Sequence, residues 1–127
     1  MATQEAVMTT KDVANRFSQL AKENDWNRIQ DELFSRDAES VEPPKAASMG
    51  MQNVKGIDAI KQKGKDFENS VEEMYGGFTG EPIIAGNFFA VAMGMDAKMK
   101  GMDRMKMDEI AIYEVKDGKI VKEQFFF

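Results

Sequence analysis

Two runs rich in β-branched and aromatic residues, 105–116 and 119–127, flank the pair Asp117-Gly118, and no other stretch restricts the fold of this chain as strongly. Asp-Gly tolerates the positive φ that both central residues of a two-residue type I′ turn require, so the runs are predicted to form a hairpin. Centring the turn on this pair sets Val115 opposite Ile120, Tyr113 opposite Lys122, Ala111 opposite Gln124 and Glu109 opposite Phe126. That register gathers Ile110, Ile112, Val121, Phe125 and Phe127 on one strongly apolar face. The other face mixes apolar and polar groups, as a sheet lining a pocket does.

The chain before the hairpin opens with helical spacing. Over residues 4–23, Val13, Phe17 and Leu20 recur at i, i+4 and i+7, with Ala14 and Ala21 widening the stripe. Asn24-Asp25 interrupts the pattern and can cap a second helix whose buried face is Trp26, Ile29, Leu33 and Phe34. Residues 36–42 close on Pro43-Pro44 and read as a brief edge strand at 39–42, because proline suits neither a helix interior nor a central strand. After a loop over 45–54, Gly56 precedes a third helix with Ile57, Ile60, Phe67, Val71 and Met74 on its apolar side. Residues 75–82 hold three glycines and a proline, the mark of a bent or bulged strand whose firmer end is 83–85. Gly86-Asn87 then turns the chain into a long strand over 88–100. There Phe89, Val91, Met93 and Met95 alternate with small residues. Helix, helix, short strand, helix and four turn-linked strands give an α+β domain with its helices segregated on one face of a curled antiparallel sheet.

Several function classes fall away on composition. At 127 residues the chain is expected to be one domain, 1–127. A net charge of −5 without a Lys/Arg block argues against nucleic acid or anionic lipid as the main partner. No apolar run approaches a membrane span and no basic-then-apolar leader opens the chain, so a cytoplasmic protein is expected. Cysteine and histidine are both absent. Disulfides, thiolate zinc sites and histidine general bases are therefore excluded, and acid–base chemistry falls to carboxylates, lysine or tyrosine.

Together with Leu33-Phe34-Ser35-Arg36-Asp37-Ala38, Val41-Glu42-Pro43-Pro44, Gly56-Ile57-Asp58-Ala59-Ile60 and the closing stretch from Ile112 to Val121, this order resembles the nuclear transport factor 2-like superfamily. Within it the chain is most similar to the SnoaL-like and ketosteroid isomerase-like proteins. The resemblance implies a cone-shaped curved sheet wrapped around the N-terminal helices, also known as a cystatin-like α+β roll, with a pocket inside. It also implies a homodimer through the outer face of the sheet, which agrees with apolar residues on both faces of the long strands. The isomerases' oxyanion tyrosine and aspartate fall at Phe17 and Ala111, and their base at Pro43. None of those groups is present, so steroid isomerase activity is not expected. Placing Glu42 in the base position would need a bulge, since neighbouring strand residues face opposite ways.

The candidate catalytic residues are Glu42 and Glu109, each of which also has the ordinary reading of a solvated glutamate at a strand end. The candidate pocket residues are Phe17, Trp26, Met74, Phe89, Asp96 and Tyr113. Met93, Met95, Met99, Met102, Met105 and Met107 fall within fifteen residues. Thioethers can hold Cu(I), but the turn at Gly101 is expected to scatter these side chains over both faces, and adaptable packing explains them more simply. No metal and no cofactor is implied. The expected ligand is a small apolar or amphipathic organic molecule, bound either without a reaction or by an isomerase- or cyclase-type enzyme with a pocket carboxylate as base. A structural module whose pocket is filled by its own methionines is a third reading.

Overall fold

The computed structural model describes residues 7–127. Thr9 sets the start of the first helix, α1 (Thr10–Lys22). Its hydroxyl accepts the Asp12 N–H, and the Asp12 carboxylate accepts the Thr9 N–H, a reciprocal cap that satisfies both donors. The helix thus begins later than a pattern read from residue 4: residues 4–6 lie outside the described residues, and 7–9 are not helical. Asn24, at φ 56°, turns the chain, and Asp25 caps α2 (Trp26–Leu33) by accepting the Arg28 N–H. Val13, Phe17, Leu20, Ile29 and Leu33 are buried in the core that this helix pair shares with the sheet.

Phe34 does not extend α2. It opens β1 (Phe34–Val41) with no intervening turn. The strand is therefore longer than the edge strand expected at 39–42, and it is not an edge: it lies between β2 (Val54–Lys55) and β7 (Lys119–Phe126). Pro43, at φ −66°, ends the extended run and leads into a 3₁₀ turn over Pro44–Met49. The third helix, α3 (Ile57–Ser70), stops where the Ser70 hydroxyl donates back to the Phe67 carbonyl. Val71 and Met74, which helical spacing places on α3, lie instead in β3 (Val71–Thr79), where a β-branched residue and the aromatic Tyr75 favour a strand.

β4 (Ile83–Ala85), β5 (Phe88–Met99) and β6 (Met105–Lys116) complete a seven-stranded sheet in the order β2-β1-β7-β6-β5-β3, with β4 also paired to β5. Neighbours are antiparallel except β1 and β7, which run parallel, so the sheet is mixed. Irregularities in the β3–β5 register, at Val71/Glu73 and Met74/Gly76, fit the curl expected of this glycine-bearing strand.

Two details of register matter for the interior. Asp117 and Gly118 take φ 51° and 76°, as the turn requires, and Val115 does face Ile120. A bulge follows at Glu114/Val115, after which Glu114 pairs with Lys122, Tyr113 with Glu123, Ala111 with Phe125 and Ile110 with Phe126. The expected pairs Tyr113–Lys122, Ala111–Gln124 and Glu109–Phe126 are therefore each displaced by one residue. A one-residue displacement exchanges faces, so Glu123 and Phe125 turn inward and Phe125 leaves the face of Ile110 and Ile112. The β5–β6 register, by contrast, runs unbroken from Phe88↔Glu114 to Ala97↔Met105. Met93, Met95, Met99, Met105 and Met107 consequently share the concave face with Phe89 and Val91, and of the six clustered methionines only Met102 falls in the turn. The expected scatter over both faces does not occur, because the turn preserves the alternation.

Candidate functional site

Alternation along β1 buries Ala38, Ser40 and Glu42 in turn. Glu42 therefore faces the interior without a bulge at the strand end, and its side chain is 3% exposed. Its backbone N–H donates to Asn53 Oδ1 at 2.7 Å. Lys63 reaches it from α3: Nζ lies 2.8 Å from Glu42 Oε1 and 2.5 Å from Ser40 Oγ, with the Phe125 ring centroid 5.6 Å away. The lysine side chain is 14% exposed. Lys63 sits three residues after Ile60 and four before Phe67, on the apolar stripe of α3, which draws its stem inward.

The β6–β7 bulge brings a third acid to this cluster. Glu123 is buried between its register partners Ser40 on β1 and Tyr113 on β6. Burial pushes its carboxyl up to about 7, with the Lys63 charge and the Ser40 hydroxyl pulling it down, and Glu42 and Glu109 pushing it further up. Glu109, on the same face of β6 as Ala111 and Tyr113, is also raised to about 7, by burial first and then by Glu42, with Lys63 opposing. Tyr113 is held well above its ordinary range by burial and by the acids Glu123 and Glu109. Glu42 Oε2 is buried and has no hydrogen-bond partner among the described residues. Removing a carboxyl oxygen from water without a partner is costly.

A cavity of about 470 Å³ opens between the 3₁₀ turn, α3 and the end of β5, with Met49, Met51, Val54, Lys63, Phe67 and Met99 among its walls. Lys63 is common to the cavity wall and the acid cluster. This room lies apart from most of the residues expected to line a pocket. Phe89 stacks on Tyr113 with centroids 4.9 Å apart, Phe17 lies 4.7 Å from Tyr113, and Trp26 meets Phe17 edge-on at 5.9 Å. These aromatics fill the space between helices and sheet with one another, and the Trp26 indole N–H donates to Asn24 Oδ1. Met74 does not line this cavity: on β3 the residue is 52% exposed. Asp96 is not there either. Its even-numbered position on β5 faces away from Met93 and Met95, and Arg104 clasps it at 2.9 and 2.8 Å while lying 3.9 Å over the Tyr75 ring. The Arg104 guanidinium holds the Asp96 carboxyl below its usual range.

The structure thus brings the two acids Glu42 and Glu109 together inside the sheet and adds Lys63, Ser40 and Glu123, which sequence reasoning did not single out. Carboxyls near 7 can both take and release a proton at neutral pH. No group of three or more acids with metal-holding geometry occurs among the described residues.

A family model described as the SnoaL-like domain matches residues 8–127, and the chain belongs to that family. Among solved structures, a protein of Mesorhizobium loti proposed to be a SnoaL-like polyketide cyclase is similar at 30% identity and a TM-score of 0.84, over 94% of this chain and 100% of that one. TerC, crystallised with polyporic acid, is similar at 17% identity and a TM-score of 0.74, over 93% and 90% of the two chains. A cystatin-like protein of unknown function from Xanthomonas campestris matches at 19% identity and a TM-score of 0.73, over 94% and 90%. These last two likenesses concern the fold. A search of curated proteins gives no match.

Proposed function

We propose that this SnoaL-like domain is an acid–base enzyme that moves a proton to or from carbon in a small apolar or amphipathic organic molecule, as in an isomerisation or cyclisation. The observation that carries this reading is the cluster of Glu42, Glu109 and Glu123 around a single interior lysine that also forms part of an open cavity's wall. Burial raises both Glu109 and Glu123 to about 7 beside one interior counter-charge, and that affinity for a proton is what a general base at neutral pH needs. Of the three, Glu42 and Glu123 are buried, whereas Glu109 is half-buried on the inner face of β6. Glu109 is accordingly the group that meets the substrate. Glu42 fixes Lys63, and Glu123 tunes the charge behind it.

The competing reading, a binding domain without a reaction, is supported by the aromatic packing that fills the space around Phe17 and Tyr113. Hydrogen exchange separates the two. In D₂O, the enzyme reading expects loss of the α-proton NMR signals from at least one of a panel of cyclic and aryl ketones, with Glu109→Gln slowing that loss on the order of 10²-fold or more. Exchange at the same rate in wild type and Glu109→Gln, or none in either, would leave the binding reading. The assembly proposed is a homodimer through the convex face, where Phe88, Ile110 and Phe126 are exposed large apolar residues.

A further inference from the structure

Ala97 sits at the centre of a ring of methionines. On the concave face its register partners are Met74 on β3 and Met105 on β6, while Met95 and Met99 flank it two residues away on β5 itself. Residues directly opposite on neighbouring strands stand about 5 Å apart at Cβ, and residues two apart along one strand about 7 Å. Alanine has the shortest of the five side chains, so the other four can lean over it from four sides, and Ala97 is fully buried. Met99 is buried too and forms part of the cavity wall, together with Met49 and Met51. Met95 and Met105 are half-buried, and Met74, on the outermost strand, is exposed. The ring is therefore open to water on one side and borders the cavity on another. Scatter of the clustered methionines over both faces would rule out a shared set of ligands, and the unbroken β5–β6 register removes that objection.

We propose that Met74, Met95, Met99 and Met105 form a binding site for a soft monovalent metal ion, Cu(I) or its analogue Ag(I). This goes beyond the proton-transfer reading and does not depend on it. Thioether sulfur is a soft, uncharged donor that selects Cu(I), whereas Ca(II) and Mg(II) take oxygen, and Zn(II) takes thiolate, imidazole or carboxylate. The chain has no cysteine and no histidine to compete for the ion. Among the described residues there is also no group of three or more acids that could hold a harder one. Three rotatable bonds in each methionine let the sulfurs adjust to the two-, three- or fourfold coordination that such an ion accepts. Binding is a ligand exchange alone: water or small-molecule ligands leave the ion, sulfur lone pairs replace them, and neither a proton nor an electron is transferred. The ion enters from water at Met74 or from the cavity at Met99.

Methionine-methyl NMR tests this directly. Protein carrying ¹³C-methyl methionine is titrated with silver nitrate in chloride-free buffer, and single Met→Leu variants assign the signals, since leucine keeps the approximate volume and lacks the sulfur. One equivalent of Ag(I) should shift the Met74, Met95, Met99 and Met105 signals together and leave Met102, in the turn, where it was. Cu(I), added without oxygen as its acetonitrile complex, should shift the same four, and Zn(II) should shift none. The double variant Met95→Leu/Met105→Leu should bind Ag(I) at least about tenfold more weakly, with Met102→Leu binding as wild type does. No shift at one equivalent, shifts spread evenly over the methionines, or a double variant with undiminished affinity would overturn the proposal. Shifts at Met49, Met51 and Met99 in place of the four would put the ion in the cavity and overturn it equally, as would Ag(I) binding that Cu(I) does not reproduce. The wild-type pattern decides even if the double variant does not fold.

Discussion

Replacing Glu123 by Gln should remove much of the pH dependence of folding stability, with a sign opposite to ordinary acid denaturation. In the folded protein burial raises the Glu123 carboxyl from 4.5 to about 7. Between those values the folded state holds a proton that the unfolded chain has released, so stability falls as pH rises through the window. Shifting a titration that far makes ionisation about 3 kcal/mol costlier in the folded state, and the full penalty is present above about pH 7. Glu109 contributes in the same direction, with a smaller effect because it is half-exposed to water. Glu32 acts the other way: hydrogen bonds from Arg16 and Arg28 hold it down to about 2, so the stability it contributes is lost only as pH falls from 4.5 towards that value. Maximum stability is therefore expected at about pH 5. Urea unfolding at pH 5 and pH 8 should show wild type losing about 3 kcal/mol or somewhat more, and Glu123→Gln losing about 3 kcal/mol less than wild type does. A flat wild-type profile, or a variant with the wild-type slope, would refute a buried, proton-binding Glu123.

Phe17→Ala should destabilise the fold by about 3–5 kcal/mol in denaturant titration, because Phe17 is fully buried between Trp26, Phe89 and Tyr113; a loss under about 1 kcal/mol would mean the aromatics enclose real space. Asp96→Asn should change stability by no more than about 1 kcal/mol and leave hydrogen exchange untouched, since its Arg104 pair lies outside the interior; lost exchange would put Asp96 back in the site. Light scattering should give twice the chain mass, and Ile110→Lys on the convex face should give one chain mass with an unchanged circular dichroism spectrum; a wild-type monomer would remove the homodimer.

The fold was legible where a local rule and the tertiary packing agree. Asp117-Gly118 specifies its turn, alternation over 88–99 specifies β5, and Asp25 caps the second helix by side-chain chemistry alone, whereas the Thr9–Asp12 cap that starts the first helix went unread. The acid cluster was only half legible, because two of its members depend on facts that lie between elements. Nothing in the run around Glu123 signals the bulge at Glu114/Val115, yet that bulge decides whether Glu123 or Lys122 turns inward. Lys63 did carry a signal, its place between Ile60 and Phe67 on the apolar stripe, but a charged residue there ordinarily snorkels to water. It stays inside because Ser40 on β1 and Glu42 just past its end converge on it. Met74 was misplaced because helical spacing runs on past Ser70 by coincidence, while pairing with β5 decides the conformation. The position of Asp96 followed from parity once the β5–β6 register was known.

The central claim is that the interior acids hold protons at neutral pH, and carboxyl-carbon NMR titration of the glutamates tests it most directly. Glu109→Gln and Glu123→Gln assign the two signals. Both should titrate near 7, well separated from exposed glutamates, and because the groups interact each variant should lower the midpoint of the remaining acid. Midpoints near the ordinary value of about 4.5 for both would contradict the account, since acids already ionised at neutral pH would leave no shared proton for the site to use.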